Sequence, residues 1–351
     1  MGKAMLKTPD PLSTTAGTSY DASKITRLFL LRELGVIVII LLIYATVSAI
    51  QPRFFSIESL VNILLFFPFL LVVALGEMMV IISRNLDLSV GSIVGFAAIA
   101  VGQIYVNYPG FPIPLAFIAG TLIGAVLGAI NGVIVTKFNL PSVIVTLGTM
   151  NIYRGLLFIL CKGQQIDNRF IPQALVALSQ TKHSVFYIPW IVIFAFIIAL
   201  LVSVFLRRTH IGREIYAIGS NPNAAGLRGI NVKLIVFLIF VISGGLSGFA
   251  GIIYMSRFGY VNPTMTGMGL EFTAIAATVI GGTSMAGGNG NTTGTVLGCI
   301  LLGVIHNALP TLGISGFWQE ATYGLIIIVA IIIDRLIQVR LYQAMKRKVS
   351  L

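Results

Sequence analysis

GREIYAIGSNPNAAGLRGI, residues 212–230, is polar, charged and glycine-rich, yet it lies between two long apolar segments near 188–206 and 234–256. That contrast decides the fold. Apolar runs of about 20 residues match the thickness of a bilayer core when helical, and a polar island between two of them must sit in water. The rest of the chain fits the same frame. It is 57% hydrophobic and only 10% charged, with a mean hydropathy of +0.97, whereas soluble domains carry roughly 25% charged residues. Such a chain cannot cover itself with a solvated surface. Long continuous apolar runs, rather than short alternating ones, exclude a β-barrel and leave an all-α integral membrane protein.

Apolar runs between polar breaks predict ten spans, near 34–50, 60–83, 89–106, 113–136, 142–160, 188–206, 234–256, 270–283, 292–309 and 319–333. The weakest, 270–283, is short and runs into a glycine-rich segment. The net charge of +12 would suggest nucleic acid in a soluble protein. Here the bases cluster at span ends and read as topology. With the N-terminus inside and ten alternating spans, seventeen Lys and Arg fall inside, five fall outside and Arg154 lies within a span. Both termini are then expected in the cytoplasm, with a polar tail at 1–33, a transmembrane domain at 34–335, a wet loop at 207–233 and a basic tail at 336–351. The polar N-terminus lacks the short apolar core of a signal peptide.

Glycines at four-residue spacing put small faces on helices: Gly120, Gly124, Gly128 and Gly132; Gly244 and Gly248, with Gly245 and Gly251; and Gly294 with Gly298. Close helix packing is the plain reading, and sliding during transport the sharper one. Gly91–Gly95 and Gly294–Gly298 each open a span after a polar, Asn-containing stretch, which suggests an internal repeat of two halves. The run GGTSMAGGNG at 281–290 is no phosphate loop, since no Gly-Lys-Ser/Thr follows, and that motif occurs nowhere in the chain. ATP hydrolysis is therefore not expected on this chain, nor is any cofactor.

Charges inside spans are expensive and need individual readings. Arg154 lies about six residues, roughly 9 Å, inside one end of its span, where it either snorkels or contacts a polar solute. Glu77 lies at similar depth from the other end of its own span. Asp87 is placed to cap the third span, and Glu271 and Glu320 fall near helix starts. Thr146, Thr149, Asn151 and Asn307 suit a neutral hydroxylated solute or interhelical hydrogen bonds equally well. Glu77, Thr146, Asn151, Arg154 and Asn307 are the candidates for a translocation path. Cys161 and Cys299, and His183, His210 and His306, show no metal-ligand spacing, and no Ser/His/Asp arrangement suggests an enzyme.

Within the opening stretch, Asn221 is placed as an N-cap, Pro222 as the first helical residue and Gly229 as the stop. The short helix between them would show Ala224 and Ala225 on its surface. This run, together with RNLDLSVGSIVG (84–95), the segment from Gly128 to Gly155 carrying KFNLPSVIVTLGTM and YRG, and LEFTAIAATVIGGTSMAGGNG (270–290), resembles the permease subunits of ATP-binding-cassette importers for simple sugars. The family is that of ribose, galactose and xylose permeases, and autoinducer-2 and rhamnose permeases are similar. The resemblance implies a bacterial inner-membrane subunit that pairs with a second permease, of the same or a sister chain. It further implies a solute-binding protein outside and a cassette ATPase inside, with ATP and Mg on the ATPase. Gly212, Tyr216, Gly219, Asn221, Pro222, Ala224, Ala225 and Gly229 would then form the coupling contact. An ion-coupled secondary carrier is the competing class; it needs an intramembrane carboxylate relay, and Glu77 is the residue that would serve it.

Overall fold

The computed structural model describes residues 22–181 and 188–315, with scattered positions between 317 and 332. In chain order the helices are α1 (Ala22–Ile50), α2 (Ile57–Ile82), α3 (Val90–Asn107), α4 (Ile113–Phe138), α5 (Ser142–Cys161), α6 (Gln173–Ala177) and α7 (Trp190–Arg208). They continue with α8 (His210–Ser220), α9 (Pro222–Leu227), α10 (Val232–Phe258), α11 (Leu270–Ile280) and α12 (Thr292–Thr311). Among the described residues eight helices are long and apolar enough to cross a membrane, α1 to α5, α7, α10 and α12.

Two expectations change. Helix α1 starts at Ala22, inside the stretch expected as a polar tail at 1–33. The span expected at 270–283 is only the 11-residue helix α11, about 16 Å long at 1.5 Å per residue, which is half a bilayer core. The other half of that crossing is the irregular stretch 259–269. Most of 319–333, with Glu320, His183 and the tail 336–351, lies outside the described residues.

The ends of the molecule follow from hydrogen bonds that tie distant segments. Arg84, after α2, bonds to the end of α8, and Ser142, at the start of α5, accepts from Leu86. Tyr216 of α8 bonds to Gly290, before α12. These segments share one end, the α8–α9 end, where Lys137, Arg207, Arg208, Arg213, Arg228 and Lys233 also fall in sequence. At the other end Ile166 pairs with Val261, Ser256 bonds to Leu175, and Asn307 bonds to Ser59.

Between the ends, α2 and α10 run antiparallel through the centre, Gly76 against Ser243 and Phe69 against Tyr254. The remaining packing repeats with inverted direction: α10 lies along α4 as α2 lies along α12, and α3 packs on α10 as α11 packs on α2. The internal repeat thus pairs α2–α3–α4 with α10–α11–α12. Gly91 and Gly294 are not equivalent in it, because Gly91 opens the second helix of its half and Gly294 the third.

Apolar surface gives helices no reason to associate in lipid; close backbone contact does. Gly124, Gly128 and Gly132 of α4 meet Gly244, Phe240 and Phe237 of α10 with backbone against backbone, and Gly120 meets Ile252 and Gly248. Gly294 and Gly298 of α12 meet Gly281 and Ala277 in the same way.

Candidate functional site

Two crossings are broken inside the protein. Between α2 and α3 the chain turns back over residues 83–89, with Asp87 and Ser89 fully buried. Irregular backbone at such depth survives only if every polar group finds a partner inside the protein, and here every amide does. Arg84 N–H donates to the Ile81 carbonyl at 2.9 Å and Asn85 N–H to Val80 at 3.1 Å. Leu86 N–H donates to Ser142 Oγ at 3.0 Å, Asp87 N–H to Glu77 Oε1 at 3.2 Å and Leu88 N–H to Thr146 Oγ1 at 3.1 Å. Ser89 N–H donates to Asp87 Oδ1 at 2.9 Å. Glu77 and Thr146 are therefore supports for a backbone break. Asp87 does not itself cap α3 from the N-cap position, which is Ser89; it braces the turn one step earlier.

A side-chain chain fixes this break to two further helices. Ser89 Oγ–H donates to Asp87 Oδ1 at 2.6 Å, Asn131 Nδ2 donates to Ser89 Oγ at 2.7 Å, and Tyr153 O–H donates to Asn131 Oδ1 at 3.1 Å and to the Leu127 carbonyl at 2.9 Å. Asn131 and Tyr153 are buried, so α4 and α5 are locked to the start of α3.

The second break brings the start of α11 to the same place. Gly267 (φ +71) and Gly91 touch backbone to backbone, and the Glu271 carboxylate lies against Gly91. Both helices start here and run apart, so their positive dipole ends converge, with Asp87 and Glu271 as the acids beside them. Polar residues knit the stretch before α11: Thr264 and Met265 amides donate to Asn262 Oδ1, and Asn262 N–H donates to Thr266 Oγ1. Arg154 spans from α5 to this stretch, its Nη1 donating to the Thr266 carbonyl at 2.8 Å, beside Gly95. It reaches inward and does not snorkel.

Of the five candidates for a path, Glu77, Thr146 and Arg154 converge on these breaks. Asn151 lies on the exposed face of α5, bonded to its own helix at Leu147, and Asn307 bonds Ser59 at the far end. Ser89, Asn131, Tyr153 and Thr266 were not anticipated. The signal for Thr266 was faint: NPTMTGMG at 262–269, with a proline and two glycines just before an apolar run too short to cross.

At the α8–α9 end, α8 is an amphipathic helix capped by Thr209, whose Oγ1 accepts from Gly212 N–H at 3.0 Å; His210 and Glu214 pair on it at 3.0 Å. Asn221 caps α9, its side chain accepting from Ala224 N–H at 3.1 Å, with Pro222 at the first position and Gly229 (φ +85) in the turn after it. Four of the expected contact residues face this chain instead. Gly212 presses on the end of α7, Gly219 on the Ile82 carbonyl and Gly288, and Tyr216 donates to the Gly290 carbonyl at 2.9 Å. Burial pushes the Tyr216 phenol above its ordinary range, so it remains a donor at neutral pH. Ala225, expected at the surface, is 3% exposed and packs into the core. The outward face of α9 is Asn223, Ala224, Gly226 and Leu227, the last 91% exposed.

Crossings broken within the protein, a first break whose amides are all satisfied internally and an amphipathic helix pair standing out at one end define a multi-pass membrane permease. Residues 59–333 match the family described as branched-chain amino acid transport system / permease component. The ribose import permease protein RbsC of Haemophilus influenzae is 40% identical over 87% of this chain and 94% of its own. The autoinducer 2 import system permease protein LsrC of Salmonella typhi is 32% identical over 90% and 89%, and that of Enterobacter sp. 36% over the same shares. No solved structure matches significantly. The chain belongs to this family: it is a permease component of an ATP-binding-cassette importer, a multi-pass protein of the bacterial inner membrane.

Proposed function

We propose that this permease carries a monosaccharide or a small sugar-like signal such as ribose, rhamnose or autoinducer-2. The solute would be delivered by a solute-binding protein outside and moved by a cassette ATPase that binds ATP and Mg inside. The names of the relatives support the solute class. The α8–α9 end is the cytoplasmic one in this reading, because the bases at span ends concentrate there. A second permease, the same chain or a sister, would pack on the exposed face of α5, where Gly148, Asn151 and Gly155 lie open.

The observation that carries the coupling role is the tip of α9. A leucine 91% exposed, flanked by Ala224 and Gly226, is a small apolar projection suited to a groove on another protein. Leu227→Asp or Ala224→Glu is expected to lower ATPase recovery in a detergent pull-down at least tenfold while membrane levels stay normal. Ala225→Glu is expected to lower the level of the permease itself, since that side chain is internal. An ATPase recovered equally with wild type and Leu227→Asp would sink the assignment of α9. Uptake of labelled ribose and autoinducer-2 by cells expressing the system then tests the solute class.

A further inference from the structure

We infer that Arg84 is a positioning residue that carries displacement of α8–α9 into the broken α2–α3 crossing; this rests on the coupling role proposed above. Helix α2 ends in a Schellman motif, with the amide of residue 84 on Ile81 and that of residue 85 on Val80. The residue at the left-handed position of such a motif is normally glycine, which adopts it without steric penalty. Here it is Arg84, at φ +66. A strained arginine where glycine would be free points to a use for its side chain.

That side chain closes on one target. Nε donates to the Gly219 carbonyl at 2.6 Å and Nη2 to the Ser220 carbonyl at 2.7 Å. These are the last carbonyls of α8, directly before α9. The guanidinium fork thus grips two successive carbonyls and places its positive charge on a helix C-terminus. Gly287 lies so close to the arginine stem that a Cβ there would overlap it, and Gly288 N–H donates to the Ile82 carbonyl at 2.8 Å. The residue is solvent-exposed, yet its guanidinium is held in place by its bonds to the Gly219 and Ser220 carbonyls. Tyr216, the other tether from α8, ends on Gly290, so it reaches the glycine loop and not residues 84–89. Those residues begin at Arg84 and end at Ser89, the start of α3. Moving α8 therefore pulls on the start of the break.

The test is amide hydrogen exchange on the complete complex, the permease with its co-purified ATPase, with and without ATP plus vanadate; no transported solute is required. In wild type, nucleotide is expected to change exchange in α8–α9 and in residues 84–90. In Arg84→Gly the change in α8–α9 stays, while that at 84–90 falls at least threefold, with an unchanged or raised melting temperature because glycine relieves the left-handed strain. Arg84→Lys, which offers one compact cation in place of a fork, falls between. A full nucleotide response at 84–90 in Arg84→Gly overturns the inference, as does the absence of any response there in wild type. If Arg84→Gly cannot be purified, a full response in Arg84→Lys overturns it. Failure of any ATPase to co-purify with wild type would overturn the coupling role first, and this inference with it.

Discussion

Gly244→Ala is expected to be severely destabilising, while Gly245→Ala, one residue on, is expected to be nearly silent. Both glycines lie in α10 near its contact with α4. A methyl group on Gly244 would land 2.8 Å from the Gly128 Cα and closer still to the Gly124 carbonyl. These are backbone atoms of a neighbouring helix, so no side chain can swing aside. A methyl on Gly245 meets Ala125 Cβ and Thr121 Cγ2 at 3.6 Å, ordinary van der Waals contact. Overpacking that no rotamer can relieve costs about 3 kcal/mol or more, and parting the helices loses dispersion along the whole seam. A fall in melting temperature on the order of 10 °C follows for Gly244→Ala. Heating detergent-solubilised protein and reading the monodisperse fraction by size exclusion would show it. Equal melting of the two variants would mean that the seam is not as tight as described.

The contrast between these neighbours also shows what the sequence carries. Apolar runs marked the crossings, because a bilayer imposes length and hydropathy on a segment without reference to its neighbours. Four-residue spacing marked the glycine faces for the same local reason. What could not be read was anything that depends on a partner far along the chain. Ser89, Asn131 and Tyr153 form one hydrogen-bonded chain, yet 42 and 22 residues separate them. Residues 259–269 read as a loop between spans, since their polar side chains conceal that they fill half a crossing and satisfy one another's amides. Ala225 illustrates the limit most sharply. On a short isolated helix it would be exposed, and only the packing of α9 against the core buries it. Arg84 was legible as a base at a span end, but not as a residue in a glycine position.

Glu77 separates the two transport classes that the sequence left in competition. An ion-coupled carrier needs a group that gains and loses a proton during the cycle, and Glu77 is the acid that lies well within a crossing helix. In the importer described here Glu77 does something else. Its Oε1 accepts the Asp87 amide at 3.2 Å and so completes the backbone of the break; Oε2 has no hydrogen-bond partner. Glu77→Gln keeps the carbonyl acceptor and sets its amide hydrogens in the neighbourhood of Asp87, whose Oδ2 also lacks a donor. It is expected to hold uptake within about threefold of wild type, a change of less than about 1 kcal/mol. Glu77→Ala orphans a buried amide, at roughly 1–3 kcal/mol, and opens a cavity at the centre of the molecule, at a further 2 kcal/mol or so. That variant is expected to lose uptake together with folded protein. Uptake of labelled ribose and autoinducer-2 in cells, normalised to the membrane level of each variant, distinguishes the cases. Loss of uptake in a fully folded Glu77→Gln would show that the carboxylate is required for its charge or its proton, and the carrier mechanism would then displace the one argued here. Retention of uptake confines Glu77 to holding the break, as the proposed ATP-driven mechanism expects.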